Sequence, residues 1–144
     1  EIDQRNTYQE VLYDVPMIAA VSEASPLAEK SVVSLSDLRA YPLILLALDQ
    51  SRSGRGAIHD WAQNLGFPNQ SIIYADSADM QILMVSLNLG ISFFPARKPS
   101  YFKGVKLIPL TEDIGHHRSV LVCRRLTPAI RMIRNCMIEE MKKG

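Results

Sequence analysis

The stretch Leu43-Ile-Leu-Leu-Ala-Leu48, followed by Asp49-Gln-Ser-Arg-Ser-Gly-Arg-Gly56, decides the fold class. The apolar run is unbroken, so the strand it forms is covered on both faces. It is too short for a helix and is bounded by Tyr41-Pro42 on one side and a glycine-containing turn on the other. A helix is expected next, over about residues 57–65, with Ile58, Trp61, Ala62 and Leu65 on one side at helical spacing. Gly66 ends it and Pro68 blocks continuation. A doubly covered strand followed by a helix is the unit of a parallel sheet with helices on each side.

The alternation continues outward from this unit. Upstream, Val15 to Val21 reads as a strand, and Ser34 caps a short helix to Arg39. Downstream, Ser71 to Ala75 reads as a strand, and Asp76 or Ser77 caps a helix to about Asn88. Gly90 breaks that helix, and Ile91 to Phe94 forms a strand stopped by Pro95. Val105 to Pro109 and Arg118 to Cys123 are two further strands. Thr127 caps the last helix, with Pro128 at its first position and Ile130, Ile133, Met137 and Met141 as the expected buried stripe. Arg131, Arg134, Lys142 and Lys143 face elsewhere. The methionines at 80, 84, 132, 137 and 141 are expected in the core, and Cys123 and Cys136 as buried thiols. No internal repeat or low-complexity segment interrupts the pattern, which predicts an α/β fold with a mostly parallel sheet flanked by helices.

Composition agrees with one folded domain: 144 residues, 47% apolar and 22% charged. The longest apolar run, Pro42 to Leu48, falls well short of the ~18 residues of a membrane span. Two cysteines make no disulfide scaffold, which favours a reducing, cytoplasmic setting. The chain opens on Glu1 without a signal-like segment, which reads as a fragment boundary. Net charge is +1, which argues against nucleic-acid binding by the chain as a whole. The charge is divided, however. Residues 1–114 carry 9 basic and 13 acidic side chains, whereas residues 115–144 carry 7 basic and 2 acidic. A run of this kind is read first as a solvated helix face.

Catalytic motifs are missing. There is no phosphate-binding lysine loop, no Gly-x-Ser-x-Gly elbow and no Cys-x-x-Cys pair. His116-His117 is the one histidine cluster, and adjacent residues of a strand point to opposite faces, so no metal site and no cofactor are assigned. The stretch Ser51-Arg-Ser-Gly-Arg-Gly56 is the candidate binding loop. In an open α/β sheet, ligands lie at the carboxyl ends of the strands, where helix N-termini present free N–H groups. Ser51, Arg52 and Arg55 add donors suited to a carboxylate or phosphate. Asp76-Ser77 follows the next strand and opens onto the same edge.

The order of motifs resembles the effector-binding (substrate-binding) domain of LysR-type transcriptional regulators. The resemblance rests on Asp14-Val-Pro-Met-Ile-Ala-Ala-Val21, Ser25-Pro-Leu-Ala28, Val33-Ser-Leu-Ser-Asp-Leu38 and Tyr41-Pro-Leu-Ile-Leu45. Val85-Ser-Leu-Asn-Leu-Gly-Ile-Ser-Phe-Phe-Pro95 is similar to that family's glycine-isoleucine-to-proline signature. Gly104 to Leu110, Arg118 to Arg124 and the Pro128 helix follow in the expected order. The resemblance implies a periplasmic-binding-protein-like (type 2) fold of two α/β subdomains with a small effector between them, here truncated at the N-terminus. Residues 1–144 then form the C-terminal portion of that domain. About 15–112 would be its second subdomain, 10–16 and 112–120 the crossover segments, and 118–143 the closing strand and helix of the first subdomain. By the same resemblance the effector wall comprises Ala47, Leu48, Asp49, Asp76, Ser77, Ser92 and Phe94. The helix near His59 and Gln63 would lie at a dimer interface.

These readings make the chain a ligand sensor without bond-making chemistry. Its expected partners are a small-molecule effector, with an anion as candidate, and further copies of the chain. DNA would be reached only through the winged helix-turn-helix that the family places before this region, and no membrane contact is implied. The apolar stripe of 130–141 lacks a sheet partner within the chain, so dimerisation or exchange of that segment is expected. Two rivals remain: a solute-binding protein of a transport system, which shares the architecture, and a small α/β enzyme. The enzyme would need a nucleophile–base pair at the strand ends, where only Asp49, Ser51, Ser53 and Asp76 are on offer.

Overall fold

The computed structural model describes residues 7–47, 54–96 and 102–143. In chain order its elements are β1 (Tyr8–Ser22), α1 (Leu35–Leu38), β2 (Leu43–Leu46), α2 (Gly54–Asn64), β3 (Ile72–Ala75), α3 (Ala78–Ser86), β4 (Ser92–Pro95), β5 (Val105–Ile108), β6 (His116–Cys123) and α4 (Pro128–Lys143). Strand and helix alternate where the apolar runs and caps place them. Ser34 and Asp37 close a reciprocal capping box on α1. Ser77 caps α3, and Thr127 Oγ1 accepts from Ile130 N–H at 3.2 Å in the first turn of α4.

The sheet runs β3-β2-β4-β1-β5. β2 and β3 are parallel, β2 meets β4 through a parallel bridge at Leu43↔Ile91, and β1 lies antiparallel between β4 and β5. β2, β3, β4 and β5 therefore share one direction and β1 opposes them, so the α/β fold is as expected but the sheet is mixed, parallel across β3-β2-β4 and antiparallel across β4-β1-β5, because the long β1 is inserted between β4 and β5. Gly90 is required where β2 and β4 meet, because a Cβ there would stand 2.5 Å from the Pro42 carbonyl oxygen. Gly66, after α2, has φ +92° and donates its N–H to the Gln63 carbonyl at 2.9 Å.

β1 serves two sheets. Its second part, Met17 to Ser22, sits inside the main sheet, and its first part, Tyr8 to Pro16, pairs only with β6. Pro16 marks the change. It has no N–H to give, and its carbonyl accepts from Ala96 N–H at 2.9 Å. A register shift between Val11 and Tyr13 bends the ribbon. The strand thus begins well before the expected Val15, because the β6 pairing carries it outward.

The core surrounds the main sheet. One cluster joins Val21, Leu27, Val33, Leu38, Leu43 and Phe67 with others, and Ile58, Trp61 and Ala62 of α2, with Leu65 just after it, pack into it as their spacing predicts. A second, smaller cluster of Ala20, Ile44, Ala75, Val85 and Val105 lies under α3. Three expectations for the core are corrected. Ile133 and Met137 of the α4 stripe are 57% and 40% exposed, and Met132 is 69% exposed. Met80 on α3 also faces solvent. Cys136 is exposed and Cys123 half-buried. For the α4 residues the reason is that α4 rests on β1 by a narrow contact, with Arg134 reaching Glu10 at 3.3 Å, and among the described residues no second layer covers its apolar face.

Candidate functional site

The carboxyl ends of β2, β3 and β4 lie along one edge, and each places a different chemistry there. β2 exits at Ala47, half-buried, whose N–H donates to the Ala75 carbonyl at 2.8 Å and so ties it to the end of β3. β3 exits into Asp76-Ser77, both exposed. Ser77 Oγ accepts from Met80 N–H at 3.1 Å, so its hydroxyl is engaged in capping α3. Helix α2 begins at Gly54 and has Arg55 in its first turn. The remaining loop candidates Leu48, Asp49, Ser51 and Arg52 lie outside the described residues, as does the side chain of Arg55.

The two β4 candidates turn inward. Ser92 is fully buried: its Oγ accepts from Gln81 Nε2 at 2.7 Å and donates to the Ile44 carbonyl at 2.6 Å. Phe94 is half-buried and packs on the Phe102 ring, with centroids 5.3 Å apart. Behind the edge, His59 of α2 shares a 2.7 Å hydrogen bond with the Tyr74 hydroxyl of β3 and stacks on its ring. His59 is half-buried and Gln63 exposed.

A second polar group joins β1 to β6. Asp14 accepts from His116 Nδ1 at 2.8 Å through one carboxylate oxygen and from Arg118 Nε at 3.1 Å through the other. The His116 hydrogen bond and the Arg118 charge hold the Asp14 carboxyl below the usual carboxylate range. His117 points to the opposite face and meets the Tyr13 ring edge-on at 5.6 Å, so the histidine pair divides as strand geometry requires. Among the described residues no group of three or more His, Cys, Asp or Glu side chains could hold a metal ion. Glu112 accepts from Thr111 Oγ1 at 2.8 Å and from Leu35 N–H at 3.0 Å, and these bonds lower its pKa while fastening the start of α1 to the segment after β5. An open cavity of about 290 Å³ lies between these groups, lined in part by Pro16, Met17, Pro109, Glu112 and His116.

The LysR substrate binding domain family matches residues 2–142, nearly the whole chain. The chain belongs to that family. The HTH-type transcriptional regulator CysB of Burkholderia cenocepacia is 33% identical over 100 residues, which are 68% of this chain and 30% of that protein. HinK, a LysR family transcriptional regulator from Pseudomonas aeruginosa, superposes with a TM-score of 0.70 at 25% identity, covering 98% of this chain and 51% of HinK. The BenM effector binding domain with its effector benzoate gives a TM-score of 0.69 at 16% identity, over 97% of this chain and 65% of that one. The effector binding domain of QuiR in complex with shikimate gives 0.64 at 19%, over 100% and 70%. The chain thus spans under a third of CysB and about half of HinK. It has the fold its motifs implied, that of the LysR substrate-binding, ligand-sensing domain.

Sequence reasoning missed the Gln81–Ser92 pair, the His59–Tyr74 pair and the Asp14 partners in this LysR domain. A glutamine within an otherwise apolar stretch, Met80-Gln-Ile-Leu-Met-Val85, was a visible signal for the first. The other two pairs join residues far apart in sequence, and no periodicity encodes them.

Proposed function

We propose that this chain recognises a small effector along the carboxyl edge of β2, β3 and β4, and that a carboxylate or phosphate is the effector class. The observation that carries the reading is the Ala47 N–H bond to the Ala75 carbonyl, which sets the exit of β2 beside the exposed Asp76-Ser77 start of α3. Arg52 and Arg55 supply the cationic donors in this reading. The BenM and QuiR effector domains bind benzoate and shikimate, both carboxylates, and share the fold, which supports the class.

Sensing in this reading needs two conformations and no bond-making step. The effector shifts their balance only by its differential affinity, with a coupling of roughly 1–3 kcal/mol as the usual scale. The segments 10–16 and 112–120 act as the crossover lever, and Asp14, His116 and Arg118 hold them side by side. In the longer protein the shift alters the geometry of a homo-oligomer, and DNA is contacted by a winged helix-turn-helix outside these residues, in the cytoplasm.

A thermal-shift screen against small carboxylates, amino acids and phosphates tests the reading. A ligand at about 100 times its Kd adds about 2.7 kcal/mol, a shift of several degrees for a domain of this size. The shift is expected to disappear in the Arg52→Ala, Arg55→Ala double variant. A shift that survives both substitutions would overturn the anion site on this edge.

A further inference from the structure

The layer between α3 and the sheet holds two polar side chains among apolar neighbours. Gln81 on α3 is 6% exposed and Ser92 at the start of β4 is 0% exposed. Around them stand Ile44, Ala75 and Val85 of the second core cluster. Burying polar groups in such a layer is tolerable only when they are bonded. Both are: Gln81 Nε2 donates to Ser92 Oγ, and Ser92 Oγ donates onward to the Ile44 carbonyl. An apolar pair of similar volume would fill the same space. The polar pair adds direction, because hydrogen bonds fix orientation where dispersion contacts allow sliding.

That direction concerns the site edge. β2 and β4 are joined by the Leu43↔Ile91 bridge, with Ile44 N–H donating to the Ile91 carbonyl at 2.8 Å. The Ser92 hydroxyl then takes the Ile44 carbonyl and extends the β2–β4 link toward the carboxyl ends. Gln81 carries the link to α3, one turn from the cap, since Gln81 N–H donates to the Ser77 carbonyl at 3.0 Å. One end of the bonded chain is thus near Asp76-Ser77. The other is on the strand that exits at Ala47.

We infer that Gln81 and Ser92 are positioning residues of the effector-binding edge, fixing where the first turn of α3 stands relative to the exit of β2. The inference rests on the effector reading of that edge, and it moves Ser92 from direct effector contact to a role behind the surface.

Amide hydrogen exchange on the ligand-free chain tests it. In Gln81→Met, an isosteric change that leaves Ser92 its Ile44 acceptor, the Ala47, Met80 and Gln81 amides should exchange about tenfold faster relative to Ala19 and Val21 of β1, which belong to the other core cluster. Ser92→Ala should do the same, and Ser92→Thr, which keeps the hydroxyl, should stay near wild type. If Ser92→Ala does not fold, Gln81→Met decides alone. A rise shared equally by the β1 amides marks a packing role and overturns the inference, and so does no rise. A local rise in a chain whose thermal-shift panel finds no ligand would sink the effector reading and leave the positioning standing.

Discussion

The layers around β2 to β5 and the β1–β6 ribbon with α4 are made of similar residues and end in different states. Among the described residues every buried apolar side chain lies between Ala19 and Ile114. Among the described residues of β6 and α4 none is buried. Helices α2 and α4 show why. Both carry an apolar stripe at helical spacing, and the α2 stripe meets Phe93, Leu43 and their neighbours. The α4 stripe has one narrow contact with β1 and otherwise faces solvent. Periodicity tells which face of a helix is apolar. It does not tell whether a layer exists to receive it.

The sharpest test of this contrast is to truncate one large apolar side chain in each region. Phe67 is fully buried and meets Phe93 edge-on at 6.1 Å. Phe67→Ala should cost about 3–5 kcal/mol, read as a lower urea midpoint. Met132→Ala on α4 should stay within about 0.5 kcal/mol. Equal losses would show that α4 is covered after all.

Native-state hydrogen exchange should give the next largest difference. A two-stranded ribbon is only marginally stable by itself. Amides of β6 and α4 are therefore expected to exchange about a hundredfold faster than those of Ala19 to Val21, through local opening. Uniform protection would erase the division between the regions.

The same division marks what could be read in the sequence. The strand at Leu43, the α2 stripe, the Ser34 and Ser77 caps and the Gly90 break were all legible, because each depends on neighbours within a few residues. Caps and short-range spacing are local physics. The exposure of Ile133, Met137 and Cys136 was not legible, because it depends on which surface lies opposite. For the proposed site, the resemblance named Ala47, and the order of strands put Asp76 and Ser77 at the same sheet edge; in the structure the Ala47 N–H donates to the carbonyl of Ala75, the residue before Asp76. Nothing local marked Ser92 as buried, since its environment comes from Gln81 and from Ile44 on a distant strand.

If α4 lacks a layer within its own chain, a second copy can supply one. Sedimentation velocity at micromolar concentration is expected to show a dimer, and Ile133→Glu should weaken it about tenfold by placing a charge in the apolar contact. A compact monomer at the same concentration would break this expectation and leave the α4 face simply solvated.

The smallest expected effect compares one carboxylate from each region. Glu112 fastens the core through the Leu35 N–H and the Thr111 hydroxyl, whereas Asp14 fastens the ribbon through His116 and Arg118. Both carboxyls have pKa values lowered in the folded chain, Glu112 first by the Thr111 hydroxyl and Asp14 first by the His116 hydrogen bond. A lowered folded pKa means stabilisation that is present above the unfolded value, about 3.9 for Asp and about 4.3 for Glu, and lost as pH falls through the folded one. Asp14→Asn and Glu112→Gln should therefore lower Tm at pH 7, and the gap from the parent chain should close as the pH drops below 4. Salt separates the two. Asp14 is held in part by the exposed Arg118 guanidinium, whose attraction ~1 M salt screens, while Glu112 is held by a backbone N–H and a hydroxyl. At pH 7 the Asp14→Asn gap should shrink in salt and the Glu112→Gln gap should persist. Equal salt sensitivity would mean that the ribbon and the core are fastened by the same kind of interaction, and the contrast between them would reduce to burial alone.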